Sequence, residues 1–238
     1  MLPIFRALVK KPLNLIGLDL VRYREHYSLG GYAYLSSLAI ETVIDVGAHS
    51  GEFCQMITKV LPSSSIFCFE PLREEFRQLA YRMRGRPRFN AFNYALGDRN
   101  GTVEMYRNEY SQSSSLLPMA ALHKRAFPYT ERETTETVEL RRLDDVLAGT
   151  DLAPEILVKV DVQGYEDKVI AGAEVVLSRS KAMIVEVSFQ KLYEGQALFD
   201  AVYEILKKKG FAYLGNLYQL FNPIDGGILQ ADSLFVKQ

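Results

Sequence analysis

The chain of 238 residues contains no tryptophan, two cysteines and three histidines. Cys54 and Cys68 form no CxxC pair, so they read as small buried hydrophobes of a reducing compartment, not as a disulfide framework. No apolar run approaches the roughly 18 residues that a membrane span requires. The start, Met1-Leu2-Pro3-Ile4-Phe5-Arg6, lacks the charged-then-apolar order of a signal peptide, which makes the cytoplasm the expected location. A net charge of −1 gives no global reason to expect nucleic acid or an acidic partner. What remains is ordinary globular material, 48% hydrophobic and 24% charged, long enough to bury a sizeable core.

One stretch organises the rest: Thr42-Val43-Ile44-Asp45-Val46-Gly47-Ala48-His49-Ser50-Gly51-Glu52-Phe53. It reads as a buried parallel strand, a glycine turn, and a helix from about Ser50. Gly47 and Gly51 let the backbone bend and approach a ligand closely. A dinucleotide fingerprint needs a glycine where His49 stands, so that the backbone can meet a pyrophosphate. Asp45 would repel that diphosphate. Glu70 closes the next strand-like run roughly 20 residues beyond Gly51, where an acid holds a ribose diol. A ribose acid without a phosphate cradle suits S-adenosylmethionine, which has a ribose, an adenine and positive charge but no phosphate. A nicotinamide-dependent oxidoreductase on a similar core is the alternative, and a non-catalytic S-adenosylmethionine-binding protein is the third reading.

Strand 42–46, helix 50–60, strand 65–69, helix 72–83 and strand 88–94 alternate as an α/β fold with a mostly parallel sheet covered on both faces. Ligands then sit beyond the carboxyl ends of the strands, where Asp45, Glu70 and the segment around Ala95 fall. A strand over Thr102–Tyr106 leads into 107–135, an aperiodic polar insertion. Strand 135–140 and a short helix at Leu143–Leu147 follow. Ile156–Val160 is a second buried strand ending in an acid, Asp161. Val162–Glu166 turns into a helix to about Leu177, and Ala182–Ser188 is a strand carrying Glu186. A helix over Gln196–Lys209 precedes short closing strands at Phe211–Leu214, Leu217–Phe221 and Leu234–Val236, the first two joined at Gly215-Asn216. Residues 1–40 are expected as a helical appendage and 41–238 as the main domain. The appendage is locally basic (Arg6, Lys10, Lys11, Arg22, Arg24). It is a lid or a weak membrane-surface patch in one reading, and helices packed on the sheet, with His26 a packing residue, in the preferred one.

Val43-Ile44-Asp45-Val46-Gly47-Ala48-His49-Ser50-Gly51, Phe69-Glu70-Pro71, Ala95-Leu96-Gly97-Asp98 and Val158-Lys159-Val160-Asp161-Val162-Gln163-Gly164-Tyr165-Glu166 occur in order over residues 40–215. Together they resemble the FkbM family of S-adenosylmethionine-dependent methyltransferases. The resemblance implies a three-layer Rossmann-like sandwich, its seven-stranded sheet mostly parallel with an antiparallel last strand. It also implies methyl transfer to hydroxyl groups of saccharides or polyketide natural products. On this chain Asp45, Gly47, Ala48 and Gly51 would wrap the methionine part of the cofactor, and Glu70 would hold the ribose. Leu72 would pack on adenine, Ala95 and Leu96 would line its other face, and Asp98 would hydrogen-bond to it. Asp161 would lie near the sulfonium, and the Ser113–His123 loop would face the acceptor. Gln163 departs from the glutamate more usual at its position in the family.

An alcohol becomes a nucleophile only as its proton leaves, so the site needs a base. His123 is the first choice by residue type, against a plain surface-loop reading. Asp161 competes as an acid at a strand end, and Glu186 is similar but more structural or substrate-orienting. His49 either meets the cofactor carboxylate or is a turn residue. Asp144, Asp145 and Asp161 are available to a divalent cation. Their spacing is not diagnostic, so no metal is assigned. Tyr106, Tyr110 and Tyr129 flank the insertion, where they stack on a sugar face or simply pack. The expected partner is a small-molecule or saccharide acceptor, with no nucleic acid.

Overall fold

The structure, a computed structural model, describes residues 30–238. Most of the expected appendage, including His26 and the basic residues to Arg24, lies outside the described residues. Strand β1 (Thr42–Val46) is buried along its whole length because both faces of the sheet are covered. Its parallel neighbours are β2 (Ser65–Phe69) and β7 (Ile156–Val160), with Thr42 level with Ser65 on one side and Ile156 on the other. β3 (Phe89–Phe92) extends one edge. On the other side come β8 (Ser180–Ser188), β10 (Ile228–Lys237) and β9 (Phe211–Phe221), giving the order β3-β2-β1-β7-β8-β10-β9. β10, the last strand, runs antiparallel to both its neighbours, as the resemblance implies.

Side chains alternate between two cores, as the two-residue period of a strand requires. Val43 packs with Cys54 and Ile57 of α2 (Glu52–Val60) and Leu79 of α3 (Arg73–Arg82). Ile44 points to the opposite face, with Val169 of α6 (Glu166–Ala171), Val176 of α7 (Glu174–Arg179) and Val202 of α8 (Phe199–Lys208). The result is the three-layer α/β sandwich. Both thiols are free and buried in the first of these cores.

Three local features differ from the sequence expectation. The helix foreseen from Glu166 to Leu177 is broken at Gly172, which packs so close to the Gly97 carbonyl oxygen that a Cβ there would lie 1.9 Å from it. Gly215-Asn216 is no turn: β9 is continuous, and the slack is taken up as register shifts against β10. β4 (Ala95–Leu96), β5 (Gly101–Asn108) and β6 (Glu133–Arg141) form their own three-stranded sheet in the order β4-β6-β5.

The polar insertion is ordered against this frame and carries the one-turn helix α4 (Ala121–Ala126). The Ser115 hydroxyl donates to the Gln163 carbonyl at 2.6 Å, and the Tyr193 hydroxyl oxygen lies 3.0 Å from the Ser113 carbonyl. Ser114 and Ser115 are therefore fixing points, the Ser114 hydroxyl accepting the Asn108 amide and the Ser115 hydroxyl held by Gln163. Among the described residues no helix is long and apolar enough to cross a membrane.

Candidate active site

Five adjacent strands each bring one acid to the same edge of the sheet. Glu70 follows β2, Asp45 lies in β1, Asp161 follows β7, and Glu186 and Asp232 face each other across β8 and β10. Strand spacing of about 4.8 Å sets how closely these acids approach. Lys159, level with Asp45 in the β1–β7 register, supplies the opposing charge. Its ammonium is 3.0 Å from Asp161 Oδ2 and 3.8 Å from Asp45 Oδ1. Burial works against that charge, but Asp161, Asp45 and Asp232 outweigh it and hold Lys159 protonated above its ordinary range. Burial pushes the fully buried Asp45 up to about 6 against the pull of Lys159. Asp161 goes the other way: burial opposes its charge, but Lys159 holds it below its ordinary value.

The turn after β1 is set by backbone contacts. Gly47 has φ +79°, and the Gly47 and Ala48 amides both donate to the Phe69 carbonyl at 3.0 Å. His49 is left-handed too, at φ 48°, which aims its amide at Glu70 Oε2, 2.8 Å away. The Leu72 amide takes Glu70 Oε1 at the same distance. Burial lifts Glu70 to about 8, with those two amides working against the rise. The His49 ring ties the turn to the insertion, its Nε2 lying 2.7 Å from the Ser111 hydroxyl.

Gln163 is the hinge between the acids. Its Nε2 donates to Asp161 Oδ1 at 3.1 Å and to Glu186 Oε2 at 2.5 Å, while its Oε1 accepts from the Tyr193 hydroxyl at 2.8 Å. A glutamate in this conformation would set a third carboxylate against two others; the amide supplies the donor they need. Gln230 Nε2 also donates to Glu186 Oε2, at 2.8 Å. Burial, reinforced by Asp161 and Asp232, lifts Glu186 well above its ordinary value, so the Asp161–Glu186 pair is split into a low and a high member.

The loop carrying Asp161 and Gln163 hangs on Glu166, whose Oε1 accepts the Val162 and Gly164 amides at 3.1 and 3.0 Å. Glu166→Ala strips the buried Gly164 amide of its acceptor, at about 1–3 kcal/mol, and the half-buried Val162 amide at less. A matching fall in urea-unfolding free energy is expected; an unchanged midpoint would show that the loop does not depend on this carboxylate.

The acids open onto a cleft of about 510 Å³. Gly47, Ala48, His49 and Glu70 line one end of it, and Leu72, Ala95 and Leu96 its apolar wall. Asp161 and Glu186 line the other end. Asp45 and Gly51 stand behind this lining, Asp45 beneath Lys159 and Gly51 as the left-handed cap of α2. Asp98 is not brought to the cleft; it pairs with Arg99. Nor does His123 line it: that ring is buried beside Phe127 and Tyr193, burial lowers it to about 4, and its Nδ1 has no hydrogen-bond partner. Asp144 and Asp145 lie elsewhere too. Asp144 accepts the Val175 and Val176 amides at the start of α7, and Asp145 accepts from the Asn100 amide.

Lys159, Asp232 and Tyr32 line the cleft without having been singled out from the sequence. The signal for Lys159 was a lone charge inside an apolar strand. Asp232 gave a similar hint, but its partners come from strands distant in the chain. Tyr32, from the end of the expected appendage, donates to Asp232 Oδ2 at 3.4 Å. Asp161, Glu186 and Asp232 each offer an oxygen within 4.8 Å of the others, the spacing of a cation site. In the structure the Lys159 ammonium meets Asp161, the two glutamine amides meet Glu186, and the Tyr32 hydroxyl meets Asp232.

Among the described residues the cleft is lined by five acidic side chains, one lysine, Lys159, and no arginine. That lining repels pyrophosphate and fits a donor with positive charge. With the strand order it defines a Rossmann-like, S-adenosylmethionine-dependent methyltransferase. More narrowly, the profile of the methyltransferase FkbM domain matches residues 45–213, and the chain belongs to that family. The oxidoreductase alternative falls with that match. The 2-O-methyltransferase NoeI of Sinorhizobium fredii (strain NBRC 101917 / NGR234) is 29% identical over 171 residues, covering 69% of this chain and 70% of its own. Solved structures with similar outlines include the methyltransferase domain of bacterial CtHen1-C (TM-score 0.47, 15% identity, 88% of this chain and 96% of that one). Aeropyrum pernix fibrillarin with natively bound S-adenosyl-L-methionine is another (TM-score 0.46, 11% identity, 82% and 66%). At such scores these two say nothing about chemistry, and the fold rests on the strand order itself.

Proposed function

We propose that the protein is an O-methyltransferase acting on a hydroxyl group of a saccharide or natural-product acceptor. The observation that carries this reading is the Asp161–Glu186 pair: its members are bridged by Gln163, and both line the cleft. S-adenosylmethionine, when bound, supplies a methyl group on a positively charged sulfur. The residues present fit it. Glu70, its carboxylate fixed by two amides, would hold the ribose hydroxyls, and Leu72, Ala95 and Leu96 would enclose the adenine. Gly47, Ala48 and His49 would border the methionine portion, with Asp45 and Gly51 supporting that turn from behind.

Glu186 is the proton acceptor. Gln163 and Gln230 occupy its Oε2 and leave Oε1 for the acceptor's hydroxyl. Burial and the neighbouring carboxylates raise its affinity for protons above that of an ordinary carboxylate, which makes it the stronger base of the pair. Asp161, held anionic by Lys159, orients Gln163 and disfavours a second proton on the pair. His123 is too weak a base for this role.

Activity therefore requires Glu186 unprotonated and falls as the pH drops through its raised pKa. Glu186→Gln is expected to lower kcat about 100-fold and to abolish that acid limb, with S-adenosylhomocysteine affinity retained. Calorimetric titration with S-adenosylhomocysteine and with NADH, followed by a search for acceptors heavier by one CH₂, tests the whole reading. Binding of NADH alone, or an unaltered acid limb in the glutamine variant, overturns it.

A further inference from the structure

A second cavity of about 240 Å³ adjoins the cleft, and Gln112, Gln163, Glu186 and Asp232 belong to the walls of both. We propose that this smaller cavity is the acceptor subsite, admitting one uncharged sugar ring and turning away phosphorylated or carboxylated ones. The inference rests on the reading that the larger cleft holds the methyl donor.

The four shared residues include the proton acceptor, so a ring seated in the smaller cavity presents a hydroxyl to Glu186 where the two cavities meet. An in-line transfer requires acceptor oxygen and donor methyl to meet there. The volume lies below the roughly 300–1,000 Å³ of sites that take drug-sized ligands, which suits a single ring. The rim is aromatic. Tyr110 and Tyr129, from the insertion, meet edge to face at 5.5 Å. Tyr218, on β9 and level with Asp232, lines the same cavity from the sheet. Tyr129 and Tyr218 are 61% and 60% exposed, so their ring faces are not used up in the core. A pyranose has a face of C–H groups that covers such a ring, while its hydroxyls radiate outward to edge groups. Gln230 supplies such an edge group, since only one hydrogen of its amide is taken up by Glu186.

The charge of the walls makes the class specific. Among the described residues the cavity is lined by two carboxylates, Glu186 and Asp232, and by no lysine or arginine. The one imidazole among these walls, His123, is uncharged at neutral pH. An anionic acceptor would be buried among like charges with nothing to pair it. The same lining disfavours a nucleic-acid backbone, whose binding depends on cationic side chains.

The test is saturation-transfer NMR on protein filled with S-adenosylhomocysteine. Methyl glycosides of neutral aldoses are the probes, with methyl glucuronide and glucose 6-phosphate as anionic controls. Signal from at least one neutral glycoside and none from the anions is expected. The Tyr129→Ala/Tyr218→Ala variant, altered only at exposed rings, should weaken that binding at least tenfold while calorimetry finds S-adenosylhomocysteine affinity unchanged. Silence from every neutral glycoside, an equal response from the anions, or undiminished binding to the double variant overturns the subsite and leaves the methyltransferase reading standing. If S-adenosylhomocysteine fails to bind the unaltered protein, the cleft reading falls and takes the subsite with it.

Discussion

Lys159→Met is expected to cost the enzyme twice, once in stability and once in rate. The ammonium is paired to the fully buried Asp45 and to Asp161, and its removal leaves Asp45 ionisable with nothing opposite it. Losing one partner of a buried pair costs about 3–5 kcal/mol. Asp161 loses the charge that holds its carboxylate down, so its proton affinity rises and the Asp161–Glu186 pair holds its protons to higher pH. A kcat loss on the order of 10³-fold follows, and the acid limb of the pH–rate profile moves to higher pH. The two effects separate experimentally. Asp45→Asn combined with Lys159→Met removes the orphaned charge and should recover most of the unfolding free energy, with no recovery of rate. If activity returned with stability, Lys159 would be a packing residue and no more.

Gly47→Ala is the severest single change expected for the fold. An added Cβ would lie 1.9 Å from the Asp161 carbonyl oxygen, and the backbone would have to hold φ +79° with a side chain. The left-handed conformation alone costs roughly 1–2 kcal/mol. The clash adds more because its partner is backbone: Asp161 is tied down by its own amide, which donates to the Val46 carbonyl at 3.0 Å. Relief would require parting β1 from β7. We expect a total loss above about 4 kcal/mol, the range of exceptional destabilisation, with S-adenosylhomocysteine binding abolished. Gly149→Ala is the control. That residue has φ +75° but nothing within 4 Å of the added carbon, so it bears only the conformational cost. Equal Tm losses for the two variants would mean that the contact with Asp161 is not decisive.

Much of this was legible in the chain because it is local. Thr42–Val46 and Ile156–Val160 are apolar runs that can only be central strands, and an acid at or just beyond each reads directly as a site position. Glu70 was legible for the same reason. Lys159 was not, since its meaning depends on register: a lysine in an apolar strand looks anomalous until Asp45 is level with it one strand away. Asp232 reaches the cleft through antiparallel pairing with Glu186, which no spacing in the sequence encodes. His123 was favoured by residue type, yet the insertion folds inward and buries it. The break at Gly172 and the continuity of β9 through Gly215 depend on what packs opposite, so glycine alone could not decide between a helix break, a turn and a bulge.

The floor of the cleft is built from rungs of one sheet, while the rim comes from the insertion and the β9–β10 hairpin. In deuterated water the amides of Val46, Val160 and Val185 should be among the last to exchange, surviving until the molecule opens as a whole. Those around Ser111 and Asp225 should exchange through small local openings. An evolving lineage can therefore rewrite the rim to recognise a new acceptor while the chemistry beneath it stays put.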